Sequence, residues 1–176
     1  MLMLLSGGVR SGKSALGEKI VLEKRTNRAV YIATALVTDK EMEHRVLLHQ
    51  KNREGKGFIT MEESGCLGSL IPYLQTDDCV LIDCLGTYLS NRMFGQKDIQ
   101  EDLADSIVKE IIELSAAVQW TVLISNDLFR DSPIYTDLTE CYRMTLGKIQ
   151  SQVAERADLV VECVCGHPIL WKGELQ

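Results

Sequence analysis

The sequence predicts an α/β fold, a mainly parallel sheet with helices on both faces. Three observations predict it. Short apolar, β-branched-rich runs alternate with longer helical segments; several runs are nearly continuous, as strands buried on both faces are; and two runs at the chain's end lie close enough for a hairpin. Strands are expected at 2–5, 29–33, 58–61, 79–83, 121–125 and 159–164. The clearest helix is 101–118, where Leu103, Ile107, Ile111, Leu114 and Val118 recur at three- and four-residue steps and make one apolar stripe. Others are expected at 13–24, 40–52, 86–94 and 137–156. Such alternation implies right-handed crossovers between parallel strands. At the end, 159–165 and 168–172 are separated only by Gly166-His167, so one antiparallel edge strand is expected to finish the sheet.

Composition narrows the function classes. The chain has 176 residues, 45% hydrophobic and 25% charged, with three prolines and no low-complexity stretch or repeat, which fits one domain over 1–176 that buries a continuous core. Lys+Arg 19 against Asp+Glu 25 gives a net charge of −6, so neither nucleic acid nor an anionic membrane surface is an expected partner and any anion site must be local. The apolar start, Met1 to Leu5, meets Ser6-Gly7-Gly8 at once, far short of the ~20 residues of a span, and a cytoplasmic location is expected. Cys66, Cys79, Cys84, Cys141, Cys163 and Cys165 show no CxxC spacing and are expected as small core residues in a reducing compartment.

Gly7-Gly8-Val9-Arg10-Ser11-Gly12-Lys13-Ser14 fits G-x4-G-K-[ST], directly after an apolar strand and at the start of a helix. Gly7 and Gly12 let the backbone curl so that successive N–H groups and the helix N-terminus face one anion. Lys13 then supplies charge for the β/γ-phosphates and Ser14 a hydroxyl ligand for Mg²⁺. The bland alternative is a glycine-rich turn with an incidental Lys-Ser. An acid at the end of another buried strand completes such a site, and Asp83, closing Cys79-Val80-Leu81-Ile82, has that place. The alternative is that Asp83 caps the following helix, since strand-ending aspartates are common N-caps.

Arg45, His49 and Arg53 are four residues apart, so on a helix they share one face about 6 Å from neighbour to neighbour. Two fixed cations beside an imidazole keep it neutral and nucleophilic near pH 7, able to attack a nucleotide α-phosphorus and form a phosphoramidate. A solvated basic helix face explains the same spacing. Cys163, Cys165 and His167 alternate by two but are not taken as metal ligands: their common face is expected to be core, and structural zinc wants four ligands at wider spacing. No serine sits in an acylating elbow.

Together these residues resemble the bifunctional adenosylcobinamide kinase / adenosylcobinamide-phosphate guanylyltransferase family of cobalamin biosynthesis. The resemblance spans nearly the whole chain. It rests on Gly7 to Ser14, Tyr31-Ile32-Ala33-Thr34, Glu41-Met42 leading to Arg45, His49 and Arg53, Thr60 with Glu62, Asp83-Cys84-Leu85, Asn91, Asn126, and Gly166 with Pro168. It implies a RecA-like, three-layer P-loop fold. It also implies phosphorylation of adenosylcobinamide by ATP or GTP, then transfer of GMP from GTP through a guanylylated histidine, here His49, to give adenosylcobinamide-GDP. By the same resemblance Gly7 to Ser14 hold the triphosphate and Ala33, Thr34 and Ala35 line the nucleotide site. Gln50, Lys51, Asn52 and Arg53 meet the guanine nucleotide, Glu62 and Asp83 are its acidic contacts, Ser14 and Asp83 serve Mg²⁺, and members form trimers.

The chain also departs from that family. Asp127-Leu128-Phe129-Arg130-Asp131-Ser132-Pro133-Ile134 replaces a glycine-rich loop, Glu54 replaces a proline, Phe58 a tryptophan, and Gln150-Ser151 an Asn-Gln pair. Two other readings use the same phosphate loop: a P-loop kinase of another small alcohol or nucleoside with His49 only binding phosphate, and a nucleotide-dependent regulator in which the altered loop is a switch surface. The discriminating feature is Arg45, His49 and Arg53.

Overall fold

The computed structural model describes residues 1–36, 47, 51, 55–95, 102–128 and 136–174. In order they form β1 (Leu2–Gly7), α1 (Lys13–Lys24), β2 (Ala29–Ala33), β3 (Phe58–Glu62), a 3₁₀ helix (Leu67–Tyr73), β4 (Cys79–Asp83), α2 (Leu85–Phe94) and α3 (Leu103–Ala117). These are followed by β5 (Trp120–Asn126), α4 (Asp137–Arg156), β6 (Leu159–Val164) and β7 (His167–Lys172). The sheet order is β3-β2-β4-β5-β1-β6-β7. Every neighbouring pair is parallel except β6 with β7.

The apolar runs behave as both-faces-buried strands should. Met3 and Leu5 of β1, and Val80, Leu81 and Ile82 of β4, have no exposed surface. Alternate residues feed two cores. On one face Met3, Leu5, Tyr31, Leu81, Val122 and Ile124 pack against Val21 and the partly buried Leu16 and Ile20 of α1. On the other, Leu4, Ile32, Val80, Ile82 and Leu123 pack against α2, α3 and α4, which contribute Leu89, Ile107, Ile111, Leu146 and Ile149. The result is three layers, helix, sheet and helices. The edge strands differ: β3 is largely exposed and β7 exposed throughout. The α3 stripe buries Leu103, Ile107, Ile111 and Leu114 as its period requires.

Three expectations change. The 3₁₀ helix carries no period to announce it, and Pro72 lies inside it. The terminal hairpin turns at Cys165-Gly166, not Gly166-His167, because Val164 pairs with His167 and the two turn residues have φ of 51° and 82°. Positive φ at both central positions matches the strand twist. That turn removes Cys165 from the buried side of the strand, so Cys163 is core while Cys165 and His167 are exposed. Cys66 and Cys141 are exposed too, the latter on the outer side of α4, so only Cys79, Cys163 and in part Cys84 serve as small core residues. Within the expected helix 40–52, Leu47 and Lys51 are helical and exposed; Arg45, His49, Gln50 and Asn52 lie outside the described residues, as do Arg53, Glu101 and 129–134. Among the described residues no helix is long and apolar enough to cross a membrane.

Candidate active site

Parallel pairing brings the carboxyl ends of the strands to one edge, where open α/β sheets bind ligands. Gly7 of β1 is in register with Asn126 of β5 and Cys163 of β6, and Ala33 of β2 with Glu62 of β3 and Asp83 of β4. In-register residues of parallel strands share a face, so Asp83 and Glu62 project on the side that carries α1. One strand, β5, separates the phosphate-loop strand from the Asp83 strand.

The loop between β1 and α1 is shaped by close approach. A Cβ on Gly7 would lie 2.6 Å from the Cys163 carbonyl oxygen, so β6 admits only glycine there. Gly12 has φ of 92°, and a Cβ on it would meet the Gly166 Cα at 3.2 Å. The loop is tied to the hairpin through the Ser11 carbonyl, which accepts the Gly166 N–H at 2.7 Å and the Cys163 thiol at 3.1 Å. The first helical bond runs from Leu16 N to Gly12 O at 3.0 Å, leaving the N–H groups of Lys13, Ser14 and Ala15 outside the helical ladder. No acid lies in that first turn, as anion binding requires. The buried Lys13 ammonium donates to Gly8 O at 3.0 Å, back over the loop it follows. Ser14, half-buried, holds the next position; Gly8, Val9 and Arg10 form the exposed rim.

Asp83 does not cap α2: Cys84 is the cap residue and makes no side-chain capping bond. Its Oδ2 instead accepts the Tyr31 hydroxyl at 2.8 Å. Next to it, Thr34 clasps the ends of β2 and β4. Its N–H donates to Asp83 O at 3.1 Å, and its hydroxyl both donates to Cys84 O at 2.9 Å and accepts the Cys84 N–H at 2.8 Å. The Asn91 amide donates to Thr34 O at 2.6 Å. Thr34 is fully buried, so it fixes the backbone on which the half-buried Ala33 and Ala35 sit. Burial pushes the Cys84 thiol up, Asp83 pushes it further, and the Lys13 ammonium works the other way.

Between those two ends lies Asn126. The Asp127 N–H donates to Gly7 O at 3.0 Å, and the Gln150 amide of α4 donates to Ser125 Oγ at 2.7 Å and Asn126 O at 2.9 Å. The glutamine that departs from the family pattern therefore braces this strand end. Tyr142 donates to Gly86 O at 3.0 Å, and burial pushes its hydroxyl up to about 12. Glu62 is exposed at the end of β3. The chain beyond it is held by Glu63, whose carboxylate accepts Gly65 N at 2.7 Å, Cys66 N at 2.9 Å and Ser69 Oγ at 2.7 Å.

Gly7 to Ser14, Ala33, Thr34, Ala35, Glu62 and Asp83 thus come to one edge, and Lys51 is exposed. Sequence reasoning did not give Tyr31 as Asp83's partner, Cys163 as the loop's, or Gln150 as the brace of Ser125 and Asn126. Each acts across strands or layers, and only the strand order shows it. The donor set offered to a cation, the Ser14 hydroxyl and the Asp83 carboxylate, is all oxygen, which suits Mg²⁺ held largely by nucleotide phosphates. Among the described residues no cluster of three His, Cys, Asp or Glu forms a metal cage of its own.

Comparison with known proteins places this arrangement. The family model for cobinamide kinase / cobinamide phosphate guanyltransferase matches residues 3–170. The bifunctional adenosylcobalamin biosynthesis protein CobP of Pseudomonas aeruginosa is 31% identical over 173 residues, 97% of this chain and 97% of its own. The bifunctional adenosylcobalamin biosynthesis protein CobU of Escherichia coli is 30% identical over 178 aligned positions, 94% of this chain and 97% of its own. The Salmonella typhimurium CobU gives the same figures of 30%, 94% and 97%. Among solved structures, flagellar accessory protein FlaH from Methanocaldococcus jannaschii superposes with a TM-score of 0.50 at 13% identity, covering 99% of this chain and 81% of that one, a likeness of fold alone. A match that runs from the first strand into the last, shared with relatives of nearly equal length, fixes the assignment: this chain belongs to the cobinamide kinase / cobinamide phosphate guanyltransferase family.

Proposed function

We propose that this protein carries out both steps of the family's chemistry, phosphorylating adenosylcobinamide with ATP or GTP and then joining GMP to the product. The observation that carries the reading is the family match across residues 3–170, with the phosphate loop, Asp83 and the Arg45, His49, Arg53 series all inside it.

In the kinase step the loop N–H groups and the start of α1 cradle the triphosphate. Lys13 moves its charge from Gly8 O to the β/γ-oxygens, so catalysis is positioning and electrostatics. Ser14 and Asp83 would hold Mg²⁺, which when bound neutralises charge on the phosphates. In the guanylyl step a His49 ring nitrogen attacks the α-phosphorus of GTP. The N–P bond forms as the bond to pyrophosphate breaks. An oxygen of the substrate phosphate then displaces the imidazole, giving adenosylcobinamide-GDP and restoring His49. Arg45 and Arg53 neutralise the polyphosphate, and Gln50, Lys51, Asn52 and Glu62 contribute contacts to the guanine nucleotide. A cytoplasmic location and assembly as a homotrimer belong to the same reading.

The test is incubation with Mg²⁺ and α-labelled GTP, an alkaline denaturing quench that preserves a phosphoramidate, and comparison with His49→Ala. Acid-labile, alkali-stable label on wild type and none on the variant supports transfer through His49. Absence of label on wild type, with GTP bound or its γ-phosphate turned over, removes the guanylyl step.

A further inference from the structure

We infer that Tyr31 is the positioning residue of the Asp83 carboxylate, deciding which carboxylate oxygen faces the cation and triphosphate at the phosphate loop. The inference rests on the assignment of Asp83 to Mg²⁺ made above. The last torsion of an aspartate is soft, so a strand-end position fixes where the carboxylate sits but not how it is turned. Tyr31 removes that freedom. Tyr31 is 3% exposed and its ring packs edge-to-face on Phe58 with centroids 6.1 Å apart and planes at 81°, which restricts where the hydroxyl can lie. From there it donates to Asp83 Oδ2 at 2.8 Å. The Asp83 backbone is held by the residue that follows β2, through Thr34 N to Asp83 O at 3.1 Å. With Oδ2 engaged by the phenol, Oδ1 is the oxygen left for the cation. Partners of this kind behind a metal-binding group alter metal affinity by about 10–100-fold when removed.

The competing account is that a buried phenol needs an acceptor and Asp83 is merely the nearest. Tyr31→Phe separates the two, because it keeps the ring on Phe58 and removes one oxygen atom. The measurement is the affinity of a fluorescent ATP analogue, with excess Mg²⁺ and with EDTA, for wild type, Tyr31→Phe and Asp83→Asn. The tightening due to Mg²⁺ is expected to fall about tenfold in Tyr31→Phe, with affinity in EDTA unchanged, and in the kinase assay kcat falls while KM for the acceptor stays. Full retention of the Mg²⁺ effect in Tyr31→Phe, with its loss in Asp83→Asn, overturns the inference and leaves the Asp83 assignment standing. Retention in both overturns the assignment itself.

Discussion

Glu110→Ala should destabilise this protein more than most single substitutions. Glu110 on α3 sits in a nearly closed network, its side chain 13% exposed against 7% for Arg92 of α2. Its Oε1 accepts Arg92 Nη1 at 2.6 Å and its Oε2 accepts the Leu67 N–H at 2.9 Å as well as the Tyr88 hydroxyl. Arg92 Nη1 also donates to Tyr88 Oη at 2.8 Å, while its Nε is buried without a partner among the described residues. Burial disfavours the Arg92 charge, but Glu110 and Tyr88 outweigh it and raise the guanidinium pKa, so the cation persists. Removing Glu110 strands that cation and weakens the hold on the 3₁₀ helix, and breaking a buried pair costs about 3–5 kcal/mol. For a chain of this size each kcal/mol lowers Tm by about 2–4 °C, so a drop on the order of 6–20 °C is expected. The assay is thermal and urea unfolding of Glu110→Ala, Arg92→Met and the double variant. The double should recover about 2 kcal/mol relative to the sum of the singles, since no stranded charge remains. A cost below about 1 kcal/mol for Glu110→Ala, or additivity within about 0.5 kcal/mol, would refute the claim that these groups act as one unit.

Further outcomes concern the loop, the thiols and alkaline pH. Gly12→Ala forces an L side chain into left-handed backbone at about 1–2 kcal/mol and presses on the Gly166 Cα, so the urea midpoint and ATP affinity should fall together; unchanged ATP binding contradicts the loop geometry. A thiol reagent at pH 8 should titrate Cys66, Cys141 and Cys165 quickly, and Cys79, Cys84 and Cys163 only in denaturant; a fourth fast thiol tells against the packing. Burial pushes Tyr142 up to about 12 and raises Tyr88 further, with Glu110 adding to the effect on Tyr88. Unfolded tyrosine ionises near ~10, so above that pH the unfolded chain loses protons the native state keeps. Stability should decline as pH rises from about 10 to about 12. Absorbance at alkaline pH should leave both phenols un-ionised until unfolding.

The strands and helices were legible because each is written in its own period. The α3 stripe, the continuous run of β4 and the glycine-framed loop before Lys13 are local patterns whose cause lies within a few residues. Asp83 at a strand end was legible for the same reason, but its surroundings were not: that Cys84 takes the cap position and Tyr31 donates to Asp83 shows only once β2 and β4 are paired. The sequence also could not show that β5 separates β1 from β4, that the terminal hairpin supports the phosphate loop, or that Gln150 braces Asn126. Those facts depend on strand order and crossover, which no local pattern encodes. A one-residue shift of the hairpin turn was enough to move Cys165 from expected core to solvent. The sequence by itself determined that a strand, a glycine-framed loop and a helix follow one another from Leu2 to Lys24; tertiary structure decided which residues hold them in place, because those contacts join positions more than 150 residues apart, as the 152 between Cys163 and Ser11.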